Sequence, residues 1–195
     1  QVTLQGEWEI DGPNPNVTLI SSNQTETVLD FATLDGESTE IQLSEIIITG
    51  CTYIDIINDG FEGGFGNWND GGSDCARSTS NPNTGTYSAR LRDNSGVGSS
   101  MYTDLLDLST FSEVIFEFSY YPSSMENGED FFLEISTNGG SSYSIYQTWA
   151  SGTDFINNNR YDESITISGI SFTSNTMIRL RCDASGNSDY IYIDD

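Results

Sequence analysis

Hydrophobic positions in this chain recur with a period of two. Across 113–119, Val114, Phe116 and Phe118 alternate with Ile115, Glu117 and Ser119, so an inward face separates from an outward one as in a half-buried strand. The same pattern predicts strands over 87–92, 101–106, 113–121, 131–136, 142–149, 164–167, 177–182 and 190–193. Asn127-Gly128 and Asn138-Gly139-Gly140 stand between such runs and read as hairpin turns. Eight strands in about 135 residues suit a jelly roll. No segment holds a 3.6-residue period over about a dozen residues, so helices are incidental.

The start of the chain has its own pattern. Val2, Leu4, Trp8 and Ile10 alternate with polar residues, and further short runs occur at 17–20, 27–33, 40–43 and 46–48. An immunoglobulin-like sandwich takes about 100 residues and seven strands, so four or five strands before residue 60 predict an incomplete one with exposed edges. The expected class is therefore all-β: a jelly-roll β-sandwich preceded by a small, incomplete immunoglobulin-like β-sandwich. At Ile56-Ile57-Asn58-Asp59-Gly60 an apolar run gives way to a turn signal, which places the boundary there. The expected division is 1–10 as an N-terminal strand, 11–57 as the small domain and 58–195 as the jelly roll. Asp11-Gly12-Pro13-Asn14-Pro15 separates the first strand from the rest of its segment, because prolines hold the backbone extended and block strand continuation. That strand either swings away from its own body or is the first strand of its own sheet.

Charge sharpens the division and removes whole classes of function. The 195 residues include 30 acids and 6 bases, for a net charge of −24. Residues 1–57 hold ten of the acids and no base, whereas all six bases, every one an arginine, come later. Nucleic acid and anionic membranes both demand a basic surface that this chain lacks. With no lysine and no histidine, Schiff-base chemistry, imidazole triads and histidine zinc sites are absent by composition. Aromatic residues make up 12% of the chain, which is unlike an acidic disordered tail and predicts a packed core.

No run approaches the roughly 18 apolar residues of a membrane-spanning helix, so membrane insertion is not expected. The start has no charged-then-apolar leader pattern, so a secreted protein would be read here in its mature form. Cys51, Cys75 and Cys182 lack metal-motif spacing. They are either three buried thiols or one disulfide and one free cysteine. If a disulfide forms, Cys75 and Cys182 are the expected pair, since both fall within the larger segment and a long closed loop gains most from a cross-link. Asn16-Val17-Thr18 and Asn23-Gln24-Thr25 are glycosylation sequons, at Asn16 and Asn23.

Four stretches carry a family likeness. Gly60-Phe61-Glu62-Gly63-Gly64-Phe65-Gly66-Asn67-Trp68, Thr86-Tyr87-Ser88-Ala89-Arg90-Leu91, Gly128 through Gly140 and Tyr190-Ile191-Tyr192-Ile193-Asp194-Asp195 resemble the jelly-roll modules of secreted and cell-surface proteins. Those modules include MAM-like domains and carbohydrate-binding modules. The resemblance spans 59–195 and implies a structural Ca²⁺ held by hard oxygen ligands. Glu62 with Asp194 or Asp195 would hold it, joined by a carbonyl of Asp59 or Gly60 and by Asp130. The first segment, by contrast, is similar in plan to fibre subunits assembled by donor-strand exchange. There Val2, Leu4, Trp8 and Ile10 would enter the sandwich of another copy.

Three functions compete on these grounds. Catalysis has no elbow, phosphate loop or metalloprotease motif to support it, so no enzymatic activity is expected. A carbohydrate-binding module would need exposed rings, with Trp68, Trp149, Tyr121 and Tyr146 as candidates, and a chain this acidic would favour neutral polysaccharides. An extracellular filament or surface-layer subunit, a head-to-tail homopolymer built by strand donation, accounts together for the undersized first segment, its detachable strand and a surface open to glycans. The filament is the expectation from sequence, with the calcium-stabilised carbohydrate-binding module as its alternative.

Overall fold

The computed structural model describes residues 54–195, together with the backbone of two short strands ahead of them. The chain divides into two compact units, Gln1–Tyr53 and Ile54–Asp195. In the first, β1 (Asn16–Ile20) and β2 (Glu26–Asp30) pair antiparallel, with Asn16 opposite Asp30 and Ile20 opposite Glu26. The expected donor positions Val2, Leu4, Trp8 and Ile10, as well as Asn23 and Cys51, lie outside the described residues.

The second unit contains ten strands in two five-stranded antiparallel sheets. In chain order they are β3 (Trp68–Asp70), β4 (Cys75–Ser78), β5 (Ser88–Arg92), β6 (Ser100–Thr103), β7 (Glu113–Ser123), β8 (Asp130–Ser136), β9 (Ser144–Ala150), β10 (Tyr161–Ser168), β11 (Met177–Asp183) and β12 (Tyr190–Asp194). One sheet runs β10-β7-β12-β5-β4 and the other β3-β6-β11-β8-β9. The eight strands expected from alternation are present. β3 and β4 were not expected, because strands of three and four residues at sheet edges bury too few side chains to leave a period-two signal.

The connections correct one turn. Asn127-Gly128 does not close a hairpin: β7 belongs to one sheet and β8 to the other, so this turn carries the chain across the sandwich, with Gly128 at φ +90°. Asn138-Gly139-Gly140 does close one, between the paired strands β8 and β9. Both segments have the same local turn chemistry. The difference lies in which strand the next segment meets, a long-range matter that a dipeptide cannot encode.

Alternation builds the core between the sheets. Phe118 and Tyr120 of β7, Leu91 of β5, and Ile191 and Ile193 of β12 are buried on one side; Met101, Phe131, Leu133, Ile178 and Leu180 are buried on the other. Rings fill the centre: Phe131 stacks on Trp149 at 4.7 Å and Tyr120 on Tyr161 at 5.0 Å. Cys75 and Cys182 correct another expectation. They are free thiols rather than a disulfide, each buried in this core from a different sheet, and burial pushes both up to about 12.

Candidate functional site

The outer face of the β3-β6-β11-β8-β9 sheet collects chemistry that the core-facing positions exclude. On β11, Ile178, Leu180 and Cys182 point inward, so Arg179 and Arg181 between them point out. Antiparallel register then places Asn69 opposite Tyr102, Tyr102 opposite Arg179, and Arg179 opposite Glu134, a single row across four strands. A second row sets Ser100, Arg181, Phe132 and Thr148 side by side.

Within these rows the charged groups are locked. Arg179 Nε donates to Glu134 Oε2 at 2.6 Å and Arg181 Nε to Glu134 Oε1 at 3.3 Å, so one carboxylate orients two guanidinium groups. Arg179 also lies 3.7 Å from the centre of the Tyr143 ring, and Arg181 lies 4.6 Å from that of Phe132. A guanidinium held over a ring in this way gains about 0.5–2 kcal/mol and loses freedom to reorient. Glu134 is only 4% exposed although it lies on an outer face, because the two arginines cover it. Burial raises the Tyr143 hydroxyl and the neighbouring Arg179 partly offsets that, so it stays a neutral phenol. Asn69 Nδ2 donates to Asp104 Oδ1 at 2.9 Å and to Tyr102 O at 3.4 Å, so its side-chain carbonyl is the group left without a partner among the described residues. Tyr102 is half-buried, and its hydroxyl has no hydrogen-bond partner among the described residues. The result is a preorganised strip of rings and planar donors, with two arginines sharing one glutamate, on a chain of −24.

The sequence did not single out these residues. Two arginines at alternate positions of a strand were its one visible signal. That they share a glutamate 45 and 47 residues away became visible only with the register.

The rings that the sequence favoured are placed differently. Trp68 and Trp149 are 7% and 4% exposed and belong to the core, which corrects their candidacy as binding platforms. Large indoles on half-buried strands bury more apolar area facing inward than outward. Tyr146 is committed to structure: its hydroxyl donates to Thr166 O at 2.9 Å and accepts from Ser168 N at 3.1 Å. Tyr121 lies on the outer face of the other sheet, 5.6 Å beneath Arg160.

Of the expected metal ligands, Asp59, Glu62, Asp194 and Asp195 do gather at one end of the unit, but as hydrogen-bond acceptors. Glu62 Oε1 takes the amides of Thr86 and Tyr87, each at 2.8 Å, which holds its carboxyl below the usual glutamate range. Gly85 has φ +61°, and a Cβ there would sit 2.5 Å from that same oxygen. Asp194 Oδ2 takes the amides of Asn83 and Thr84; Asp195 takes Asn83 Nδ2 and Thr84 Oγ1; Asp59 takes the amides of Phe61 and Asn67. Glu62, Asp194 and Asp195 thus fasten the 83–87 loop, and Asp59 fastens the 61–67 turn. Asp130 begins β8, away from this group, paired with Ala150 and Asp183.

A different set of acids meets the geometric demand of a metal. Among the described residues, Glu126, Glu129 and Asp189 each bring one carboxylate oxygen within 4.8 Å of the others. This cluster could hold a metal such as calcium, whose oxygen-rich coordination these ligands match.

No protein-family model matches the chain, and no curated sequence does. Solved structures do match in fold. One is a xylan-binding domain of carbohydrate-binding family 22, at TM-score 0.51 and 18% identity over 71% of this chain and 90% of that one. A second is the C-terminal family 22 carbohydrate-binding module of Clostridium thermocellum Xyn10B, at TM-score 0.51 and 17% identity over 71% and 89%. A third, the CBM22-1–GH10 modules of the Clostridium thermocellum xylanase 10B complexed with xylohexaose, matches at 0.50 and 19% over 71% of this chain and 27% of that one. At such identities the likeness is one of fold, and the unit from Ile54 to Asp195 is an all-β, two-sheet sandwich like the jelly roll of family 22 carbohydrate-binding modules.

Proposed function

We propose that this unit is a non-catalytic carbohydrate-binding module of an extracellular protein, which binds a neutral polysaccharide along the outer face of the β3-β6-β11-β8-β9 sheet. The observation that carries the reading is the row Asn69–Tyr102–Arg179–Glu134, with Tyr143 and Phe132 beside it. Binding sites that fix a ligand combine apolar ring surface with a few polar groups held in place, and here the locking of both arginines by Glu134 provides the second part. A sugar ring laid on Tyr102 would meet the remaining Arg179 donors and the Asn69 side-chain carbonyl, an acceptor, at its hydroxyls. The high negative charge of the chain disfavours sulfated and uronic chains, so neutral ones are preferred. The likeness in fold to family 22 modules makes xylan the first polymer to try. Strand donation between copies turns on residues 1–10, which lie outside the described residues.

Affinity electrophoresis of the full chain through gels containing xylan, and in parallel other neutral β-glycans, tests the proposal. Retardation is expected in at least one polymer. Tyr102→Ala and Arg179→Ala should each weaken it by about tenfold or more, in line with the loss of a central anchor worth about 2 kcal/mol. Unretarded migration in every polymer would overturn the reading. So would full retention by both variants.

A further inference from the structure

Outward positions of the β10-β7-β12-β5-β4 sheet carry rings, where a solvated sheet face ordinarily carries polar side chains. Ala89 and Leu91 of β5, Ile191 and Ile193 of β12 and Tyr120 of β7 fill the core, so Arg90, Tyr190, Tyr192 and Tyr121 point the other way. Register sets Ala76, Arg90, Tyr192 and Tyr121 in one row across four strands, and Tyr190 in the next row between Arg92 and Ser123. We propose that this face is a second ligand site, which takes a single uronic-acid residue of an otherwise neutral polysaccharide, with its carboxylate on Arg90 and its ring against Tyr190.

Arg90 is the group that calls for a ligand. The other five arginines all donate to protein oxygens: Arg77 to Phe61 O, Arg92 to Asp74, Arg160 to Asn81 O, and Arg179 and Arg181 to Glu134. Among the described residues no acceptor meets any nitrogen of Arg90, and its Nε is enclosed without a partner. Every arginine–carboxylate pair there involves Asp74 or Glu134 instead. A chain of 30 acids thus leaves this one guanidinium without a carboxylate. Packing holds it all the same, 5.5 Å from the centre of the Tyr190 ring. With Nε enclosed, the edge formed by the two terminal nitrogens is the part that opens to the face, and its parallel N–H groups match a carboxylate two to two.

The surroundings of that edge select a sugar over a bare anion. Tyr190 and Tyr121 are both partly exposed, and Tyr190 is braced against the buried Tyr192 with ring centres 5.8 Å apart. Arg160, 5.6 Å from the Tyr121 ring, is tied to Asn81 O, Pro82 O and Ser119 Oγ and forms a fixed wall. Ser123, opposite Tyr190, adds a hydroxyl. A pyranose uronate presents the matching combination of an apolar ring face, hydroxyls and one planar anion. A lone carboxylate among neutral sugars also meets little of the −24 charge of the chain, whereas a polyuronate would meet it at every residue. The face of Tyr102 and Arg179 belongs to the other sheet, so this site does not depend on binding there.

Nitrogen–proton NMR of the full chain, which reads the Arg90 Nε–H as well as the backbone amides, tests the site. Three probes are titrated at constant ionic strength: a xylo-oligosaccharide bearing one glucuronic-acid side group, the same oligosaccharide without it, and sodium acetate. The acidic oligosaccharide is expected to shift the Arg90 Nε–H and the amides of Arg90, Tyr121 and Tyr190, while the other two probes leave them in place. Arg90→Gln should weaken that binding by about tenfold or more. Arg90→Lys keeps the charge but not the planar fork, so it should also bind several-fold more weakly, and it keeps the test informative if Arg90→Gln folds poorly. The proposal is overturned if the acidic oligosaccharide leaves these signals unmoved, if the neutral one or acetate moves them as far, or if both variants bind as wild type does. Shifts confined to Tyr102 and Arg179 would overturn it too, while supporting the face on the other sheet.

Discussion

Tyr120 is the largest fully buried side chain among the described residues, packed 4.9 Å from Phe131 and 5.0 Å from Tyr161. Its hydroxyl has no hydrogen-bond partner among the described residues, and burial raises its titration well above the ordinary phenol value. An orphaned buried hydroxyl costs about 1–3 kcal/mol, so Tyr120→Phe should leave the urea midpoint unchanged or raise it; a clear drop would mean that the oxygen has a partner. Arginine is the other residue with a distinct role here. Five of the six lie over an aromatic ring: Arg77 on Tyr87, Arg90 on Tyr190, Arg160 on Tyr121, Arg179 on Tyr143 and Arg181 on Phe132. Planarity as well as charge is in use at these places, which is consistent with a chain that carries no lysine.

Among the elements, β9 shows how one residue can serve two sheets. Its pairing with β8 skips from Gln147 opposite Leu133 to Ile145 opposite Glu134, so Tyr146 is the extra residue of a bulge. From there its hydroxyl reaches the backbone of Thr166 and Ser168 on β10, an edge strand of the opposite sheet. Tyr146→Phe should therefore lower stability by about 1 kcal/mol and speed hydrogen exchange at Ser168, with β11 amides unaffected. The alternation of the long strands was readable from sequence because each has one apolar face; so was the β8–β9 hairpin. The outer-face row was not. Which side chains meet there depends on Arg179 facing Tyr102 on one side and Glu134 on the other, a register that no single strand contains. The acidic cluster escaped notice for the same reason: Asp189 lies 60 and more positions from the two glutamates in a chain full of acids, and only the two crossings bring them together.

At the scale of the whole molecule, charge is the dominant variable. A net −24 concentrates self-repulsion that folding makes worse, and salt screens it over about 10 Å at 0.1 M. The melting temperature in EDTA should consequently rise between low and moderate NaCl; a flat response would show that the acids are too well separated to matter. Sheet order has a further consequence, for the time course of folding. β12 lies between β7 and β5 in the middle of its sheet, although it comes last of the described strands. Until it emerges from the ribosome, β10-β7 and β5-β4 can exist only as unjoined halves, each with an open edge. Apart from β4–β5 and β8–β9, the strands of this unit pair with neighbours remote in sequence, a topology of high contact order that folds in milliseconds to seconds rather than microseconds. The nascent chain must therefore hold two unfinished edges apart until β12 inserts between them.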